Sequence, residues 1–258
     1  MVSGIELFDL KGKRALITGS SQGIGFALAK GLSSAGAEIV LNGRDKAKLD
    51  KSAKDLNSEC ALFQLSFDVT NQKEVKQKID EFEKNFGPIE ILINNAGNAH
   101  GLDPVQNASI DDWDAMIDSN VKGLMYVTKA VLPKMIESKK GHIINLGSIA
   151  GKEVYPNGNV YCSSKAAVDF FTRGLRIDLN PFGIRVGAIH PGLVETEFSE
   201  VRFKGDKKRA KSVYKGIDAL TAEEVADAII YMAKVPEKVT IADMVILPTR
   251  QANAYINN

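Results

Sequence analysis

The stretch that most restricts the fold is RALITGSSQGIGFALAKGLSS, residues 14–34. A short apolar run at 14–17 leads directly into Thr18 and Gly19, then Gly23 and Gly25, and an amphipathic run that reaches about Ser34. Strand, glycine turn and helix in immediate succession is the arrangement that binds dinucleotides. Glycine reaches backbone angles closed to other residues and lets the main chain approach a pyrophosphate. The helix that follows offers unpaired N–H groups and the positive end of its dipole. Gly19, Ser21, Gln22, Gly23, Ile24 and Gly25 are the candidate cofactor-binding residues of this turn.

Strand and helix signals alternate from there onward, the pattern of a parallel sheet covered on both faces. Strands are predicted at 14–18, 38–42, 61–67, 90–94, 142–147, 184–190 and 241–247. Helices are predicted at about 23–35, 45–57, 71–86, 109–136, 160–180 and 221–234. Asn71 with Glu74, Ser109 with Asp112, and Thr221 with Glu224 supply capping signals at three helix starts. The 258 residues, 44% hydrophobic, suffice for one large core. The expectation is an α/β fold, a single-domain doubly wound Rossmann fold over residues 1–258 with seven parallel strands. The least regular stretch, 193–216, follows the sixth strand and is the expected substrate loop.

Chemistry enters with Ser148, Tyr161 and Lys165. The apolar positions Ala167, Phe170, Phe171, Gly174 and Leu175 suggest a helix from 161 onward, which puts Tyr161 and Lys165 one turn apart on the same face. A phenol with a pKa near 10 is useless as a base at neutral pH, and a nearby ammonium favours its charged form. Bringing it to roughly 7 takes about 4 kcal/mol at about 1.36 kcal/mol per unit, for which the lysine and a cationic cofactor ring are the expected sources. Ser148, ending a strand, can donate a hydrogen bond to the oxygen on which Tyr161 exchanges its proton. Tyrosine and lysine four apart are common on helices, so the pair gains its meaning from the glycine turn earlier in the chain.

TGSSQGIG, NNAG at 94–97, Asn120, Ser148, Tyr161-xxx-Lys165 and Pro191-Gly192 together resemble the short-chain dehydrogenase/reductase family over essentially the whole chain. By that resemblance Asn94, Ala96 and Gly97 line the adenosine side of the cleft and tie the sheet together, and Asp68, followed by Val69, contacts the adenine amino group. A plain capping role for Asp68 is the structural alternative. Asn120 would interrupt its helix and hold a water beside Lys165, completing a proton relay from Tyr161. Pro191, Gly192, Val194 and Thr196 would hold the nicotinamide carboxamide. The helices at 109–136 and 160–180 resemble the pair through which many family members assemble, so a homotetramer is expected.

The second strand, AEIVLNGRD, bears on the cofactor, because an acidic residue near its end would bind the ribose 2′-hydroxyl of NAD. Gly43 stands where NAD-type members usually carry aspartate, and Arg44 follows it. Arg44 can pair with a 2′-phosphate, a contact worth roughly 1.5–3 kcal/mol. NADP is therefore the expected cofactor, although Gln22 stands where many NADP enzymes carry a basic residue.

A net charge of +1, from 33 basic and 32 acidic residues, argues against nucleic acid or a membrane surface as a partner. No apolar run approaches eighteen residues, and MVSGIELFDLKGKR lacks a signal-peptide core, so a cytoplasmic protein with a small-molecule substrate is expected. Cys60 and Cys162 form neither a metal-ligand spacing nor a disulfide framework. His100, His142 and His190 read as structural or loop residues, and no metal is assigned.

Residues 200–215 read EVRFKGDKKRAKSVYK, seven basic and two acidic side chains. Lys207, Lys208, Arg209 and Lys211 read as a solvated face; Arg202 and Lys204 flank Phe203 and are the candidate ligands for an anionic substrate, which would also meet Ser148 and Tyr161. From about residue 100 onward the chain resembles NADP-dependent 3-hydroxy acid dehydrogenases acting on serine and allo-threonine, whereas the first hundred residues resemble gluconate 5-dehydrogenases. A mosaic chain or divergence within one lineage would each explain this. The resulting expectation is an NADP-dependent oxidoreductase of a short 3-hydroxy acid. The alternatives are a gluconate 5-dehydrogenase-like reductase and a cofactor-bound regulator without turnover.

Overall fold

In the computed structural model, which describes residues 7–56 and 59–255, seven parallel strands form one sheet. They are β1 (Arg14–Ile17), β2 (Glu38–Gly43), β3 (Leu62–Ser66), β4 (Ile91–Asn94), β5 (His142–Leu146), β6 (Arg185–Pro191) and β7 (Asp243–Ile246), in the order β3-β2-β1-β4-β5-β6-β7. Each lies within two residues of its predicted place. Successive strand residues point to opposite faces. In β1 and β2, accordingly, Ala15, Ile17, Ile39 and Leu41 pack on one side while Leu16 and Val40 pack on the other.

The first face is covered by α1 (Gly23–Ser34), α2 (Lys46–Leu56) and α9 (Ala222–Lys234), through Leu28, Leu32, Leu49, Val225 and Ile229. The second is covered by α3 (Gln72–Phe86), α5 (Leu124–Ser138) and α6 (Asn159–Leu179), through Val75, Ile79, Val127, Val131 and Leu175. The caps form as expected: Asn71 accepts from the Glu74 N–H (3.3 Å), Ser109 from Asp112 (3.5 Å) and Thr221 from Glu224 (3.1 Å). Residues 1–6 and position 57, the last of the predicted second helix, lie outside the described residues.

Two segments are less regular than their predicted spans, the first by the interruption that the resemblance implies at Asn120. The predicted helix 109–136 is α4 (Ile110–Ile117) and α5, joined by a π-helical turn at Asp118–Gly123. The cause is at its centre. Asn120 turns its carboxamide onto the backbone of Asn98, and Gly123 abuts Val69, whose Cγ2 would lie 2.8 Å from an added Cβ. Wide turns of this kind recur at functional sites. The irregular stretch 193–216 contains two short helices, α7 (Phe198–Arg202) and α8 (Lys207–Ser212), the latter capped by Asp206 on the Arg209 N–H (3.0 Å). Helices this short carry no apolar repeat by which a sequence shows them.

The strand order reverses beside β1, between β2 and β4. Ligands of open parallel sheets bind beyond the carboxyl ends of the strands at such a point, and the loops after β1 to β6 meet there.

Candidate active site

A cleft of about 1080 Å³ runs across those carboxyl ends, from Arg44 at one end to Tyr161 and Arg202 at the other. Its floor begins at the glycine turn. Gly19 and Gly23 adopt positive φ (64° and 54°), and a Cβ on Gly19 would lie 3.0 Å from the Cα of Ala96. Two buried or half-buried asparagines hold the turn: the Asn95 amide donates to the Thr18 and Gly19 carbonyls (2.9 and 3.0 Å), and the Asn42 carboxamide lies beneath it. Gly25 packs the helix on the turn, since a Cβ there would sit 2.3 Å from the Gly19 carbonyl. It does not line the cleft, unlike Gly19, Ser21, Gln22, Gly23 and Ile24.

At the start of α1, Gln22 is extended and its side chain makes no capping bond. The first N–H groups of a helix lack intrahelical partners, so this end presents donors and a positive dipole to the cleft. Beyond it Gly43 leaves the end of β2 without a carboxylate, and Arg44 lies 3.7 Å from Asp68 with its side chain 78% exposed. Asp68 spends one oxygen on the N–H and hydroxyl of Thr70 (2.9 and 2.8 Å) and, with Val69, lines the cleft. An adenosine diphosphate bearing a 2′-phosphate fits this donor set: helix N–H groups for the pyrophosphate and the exposed Arg44 guanidinium at the sugar.

Asn94 shows the structural half of its expected role. It is 2% exposed and donates to Thr128 and Asn145 (2.9 Å each), tying β4 to its neighbours. It does not line the cleft. Ala96 and Gly97 do line the cleft, with Asn95 and Asn98 beside them.

At the far end Ser148, Tyr161 and Lys165 share one wall. Burial pushes the Tyr161 phenol up, Tyr155 adds to that, and the hydrogen bond with Ser148 and the charge of Arg202 pull it back. Burial pushes Lys165 down to about 8. Its ammonium donates to the Leu146 carbonyl (2.9 Å) at the end of β5 and lies 3.5 Å from where a Gly97 Cβ would be. Burial thus outweighs the lowering expected from the spacing; Arg202 is among the groups that pull the phenol down, while Lys165 spends one donor on a strand carbonyl. Asn120 lies behind the wall. Its Nδ2 donates to the Asn98 carbonyl (2.8 Å) and the Ser164 hydroxyl (3.0 Å), and its Oδ1 accepts from the Asn98 N–H (2.8 Å).

Arg202 donates from Nε to the Gly101 carbonyl (3.0 Å), and its guanidinium carbon lies 5.5 Å from the Tyr155 ring centre and 5.7 Å from that of Tyr161. Lys204 does not accompany it. A positive φ of 52° turns that residue aside, its ammonium pairs with Asp112 (2.9 Å), and it does not line the cleft. Arg209, read as part of a solvated face, instead lies over Phe203 (4.5 Å) and lines the cleft. Pro191, Gly192, Val194 and Thr196 line it as expected.

Several cleft residues have no sequence signal. Tyr155, His100 and Tyr214 arrive from loops, and the ring of Phe198 meets that of Tyr161 at 5.8 Å between centres. His190 is fully buried, with Nδ1 3.3 Å from the Ser148 carbonyl and Nε2 3.1 Å from Asp243. Asp169, His190 and Asp243 approach as metal ligands do, but Lys152 bridges the two carboxylates (3.2 and 2.5 Å) and Arg173 holds Asp169 (2.8 Å). The cationic place is filled by side chains.

Residues 13–207 match the short chain dehydrogenase family, and the chain belongs to it. It is an oxidoreductase by that membership. An NADP-dependent 3-hydroxy acid dehydrogenase of Schizosaccharomyces pombe is 44% identical over 248 residues, 95% of this chain and 96% of the relative. Sulfoacetaldehyde reductase 2 of Chromohalobacter salexigens is 42% identical over 92% of this chain and 94% of its own length. The closed form of a serine dehydrogenase complexed with NADP+ superposes with a TM-score of 0.89 at 40% identity, covering 95% of this chain and 98% of that one. One relative that matches both halves makes a mosaic origin unnecessary. Among the described residues, no helix is long and apolar enough to cross a membrane.

Proposed function

We propose that the protein oxidises the hydroxyl of a short 3-hydroxy acid with NADP, Tyr161 carrying the proton. The observation that supports it best is Arg202, tethered by Gly101 and lying against Tyr161, so that an anionic group held there sets the substrate beside the phenol. NADP+ bound along the cleft supplies the hydride acceptor for the carbon that bears the hydroxyl.

The chain's own residues do the rest. Ser148 donates a hydrogen bond to the substrate oxygen and orients it toward the Tyr161 Oη, which takes the hydroxyl proton. Lys165, held by the Leu146 carbonyl and desolvated, keeps positive charge behind the phenol, and Asn120 holds the 98–101 segment against α6. Arg202 and the phenyl wall of Tyr155 and Phe198 exclude water and fix one end of the substrate. Arg44 meets the 2′-phosphate. The names of the two relatives share an anionic head, carboxylate in one and sulfonate in the other, which suits one arginine fork.

The assembly we propose is a homotetramer built on the outer faces of α5 and α6. Phe170 and Ile177, seven apart on α6 and 70% and 75% exposed, supply an apolar stripe for a second copy.

The decisive measurement is kcat/KM, followed by nicotinamide absorbance, for serine, 3-hydroxypropionate, 3-hydroxyisobutyrate, 2-hydroxyethanesulfonate, gluconate and an uncharged alcohol of matching skeleton. Preference for the 3-hydroxy acids supports the proposal. Gluconate ahead of them, or the uncharged alcohol equal to them, overturns it.

A further inference from the structure

After β7 the chain turns back over the cleft, and the residue it delivers is Gln251, 4% exposed. Its Oε1 accepts from the Leu193 N–H (2.8 Å) and its Nε2 donates to the Asn253 carbonyl (3.0 Å). The turn it grips has no slack. The Gly192 N–H donates to the Ile246 carbonyl (2.8 Å), the Leu193 carbonyl accepts from Leu220 (3.0 Å), and a Cβ on Gly192 would lie 2.2 Å from the Gln251 Oε1. A side chain at 192 would therefore displace the Gln251 carboxamide from this position.

We infer that Gln251 is a positioning residue for the nicotinamide half of the cofactor, acting through Gly192 and Leu193. The inference rests on the proposed NADP chemistry, in which residues 191–196 face the nicotinamide. Gln251 bonds to the wall at that end and to nothing at the Arg44 end, so its removal separates the two halves of the cofactor energetically. A carboxamide oxygen is suited to this. It meets a buried N–H without bringing charge, and leaving that N–H unpaired incurs the penalty of a buried, unsatisfied donor.

Calorimetric titration of wild type and Gln251→Met with NADP+ and with the same dinucleotide lacking nicotinamide, 2′-phospho-ADP-ribose, tests it without turnover. In Gln251→Met, which keeps the shape and loses the acceptor, NADP+ should bind about tenfold more weakly while the fragment binds as before. An unchanged NADP+ affinity in the Met variant, or equal losses for both ligands, would overturn the role. If wild type binds the fragment as tightly as NADP+, the reading of 191–196 falls first and this inference with it.

Discussion

The guanidinium of Arg202 lies 5.7 Å from the ring centre of Tyr161 although forty residues separate them, and the Gly101 carbonyl holds it there. Charge for the substrate and the group that moves its proton therefore share one wall of the cleft. Arg202→Ala should lower kcat/KM for 3-hydroxy acids by about ten- to a hundredfold more than for an uncharged alcohol, a charged hydrogen bond's 1.5–3 kcal/mol, the alcohol losing only what Arg202 contributes through the phenol. Arg202→Lys should restore little, because an ammonium has neither the fork nor the flat face. Equal losses on charged and uncharged substrates would refute substrate binding by this arginine.

Tyr161→Phe keeps the ring against Phe198 and removes the proton carrier. Turnover should fall at least about a hundredfold while NADPH binding, followed by fluorescence, hardly changes. Near-normal turnover would remove Tyr161 from the reaction.

Arg44 lines the sugar end of the cleft with Lys48 nearby, its side chain largely exposed. Arg44→Ala should cut the preference for NADP over NAD, taken as a ratio of kcat/KM values, by about ten- to a hundredfold. An undiminished ratio would mean that another group reads the phosphate.

Burial pushes the Glu83 carboxyl up to about 7, against the pull of the Ile89 N–H that it accepts (3.1 Å) and of Lys134. A carboxyl raised on folding favours the native state in its neutral form. That contribution is complete below the ordinary value of 4.5 and is lost as pH rises through about 7. Glu83→Gln, which can still accept from Ile89, should make the protein more stable than wild type at pH 8 by about 1–2 kcal/mol, the full shift being discounted for water that reaches the group. At pH 4 the two should differ little. Denaturant unfolding at both pH values checks the sign.

A homotetramer should appear in light scattering at four times the single-chain mass. Phe170→Asp, which puts a charge in the middle of the α6 stripe, should shift it to smaller species. A wild-type mass of one chain would refute the assembly.

Much of the architecture was legible because it repeats. Seven apolar runs and the helices between them carry periodicities of two and of 3.6 residues, and the caps at Asn71, Ser109 and Thr221 are local hydrogen bonds that a few neighbouring residues decide. The glycine turn could be read for the same reason: Gly19 and Gly23 adopt angles that sequence alone makes available to them. Ser148, Tyr161 and Lys165 were legible through a resemblance whose spacing is set by one loop and one helical turn.

What the sequence could not contain is decided by contacts between distant segments. That one Lys165 donor goes to the Leu146 carbonyl depends on where β5 ends. Whether Arg202 or Lys204 faces the cleft depends on one positive φ and on Asp112, about ninety residues earlier. The close approach of Val69 to Gly123 beside the turn at 118–123, and the grip of Gln251 on Leu193, depend likewise on segments that only the fold brings together. Local preference determines which elements form; close packing, in which two atoms cannot share one space, determines which side chains are left to face the substrate.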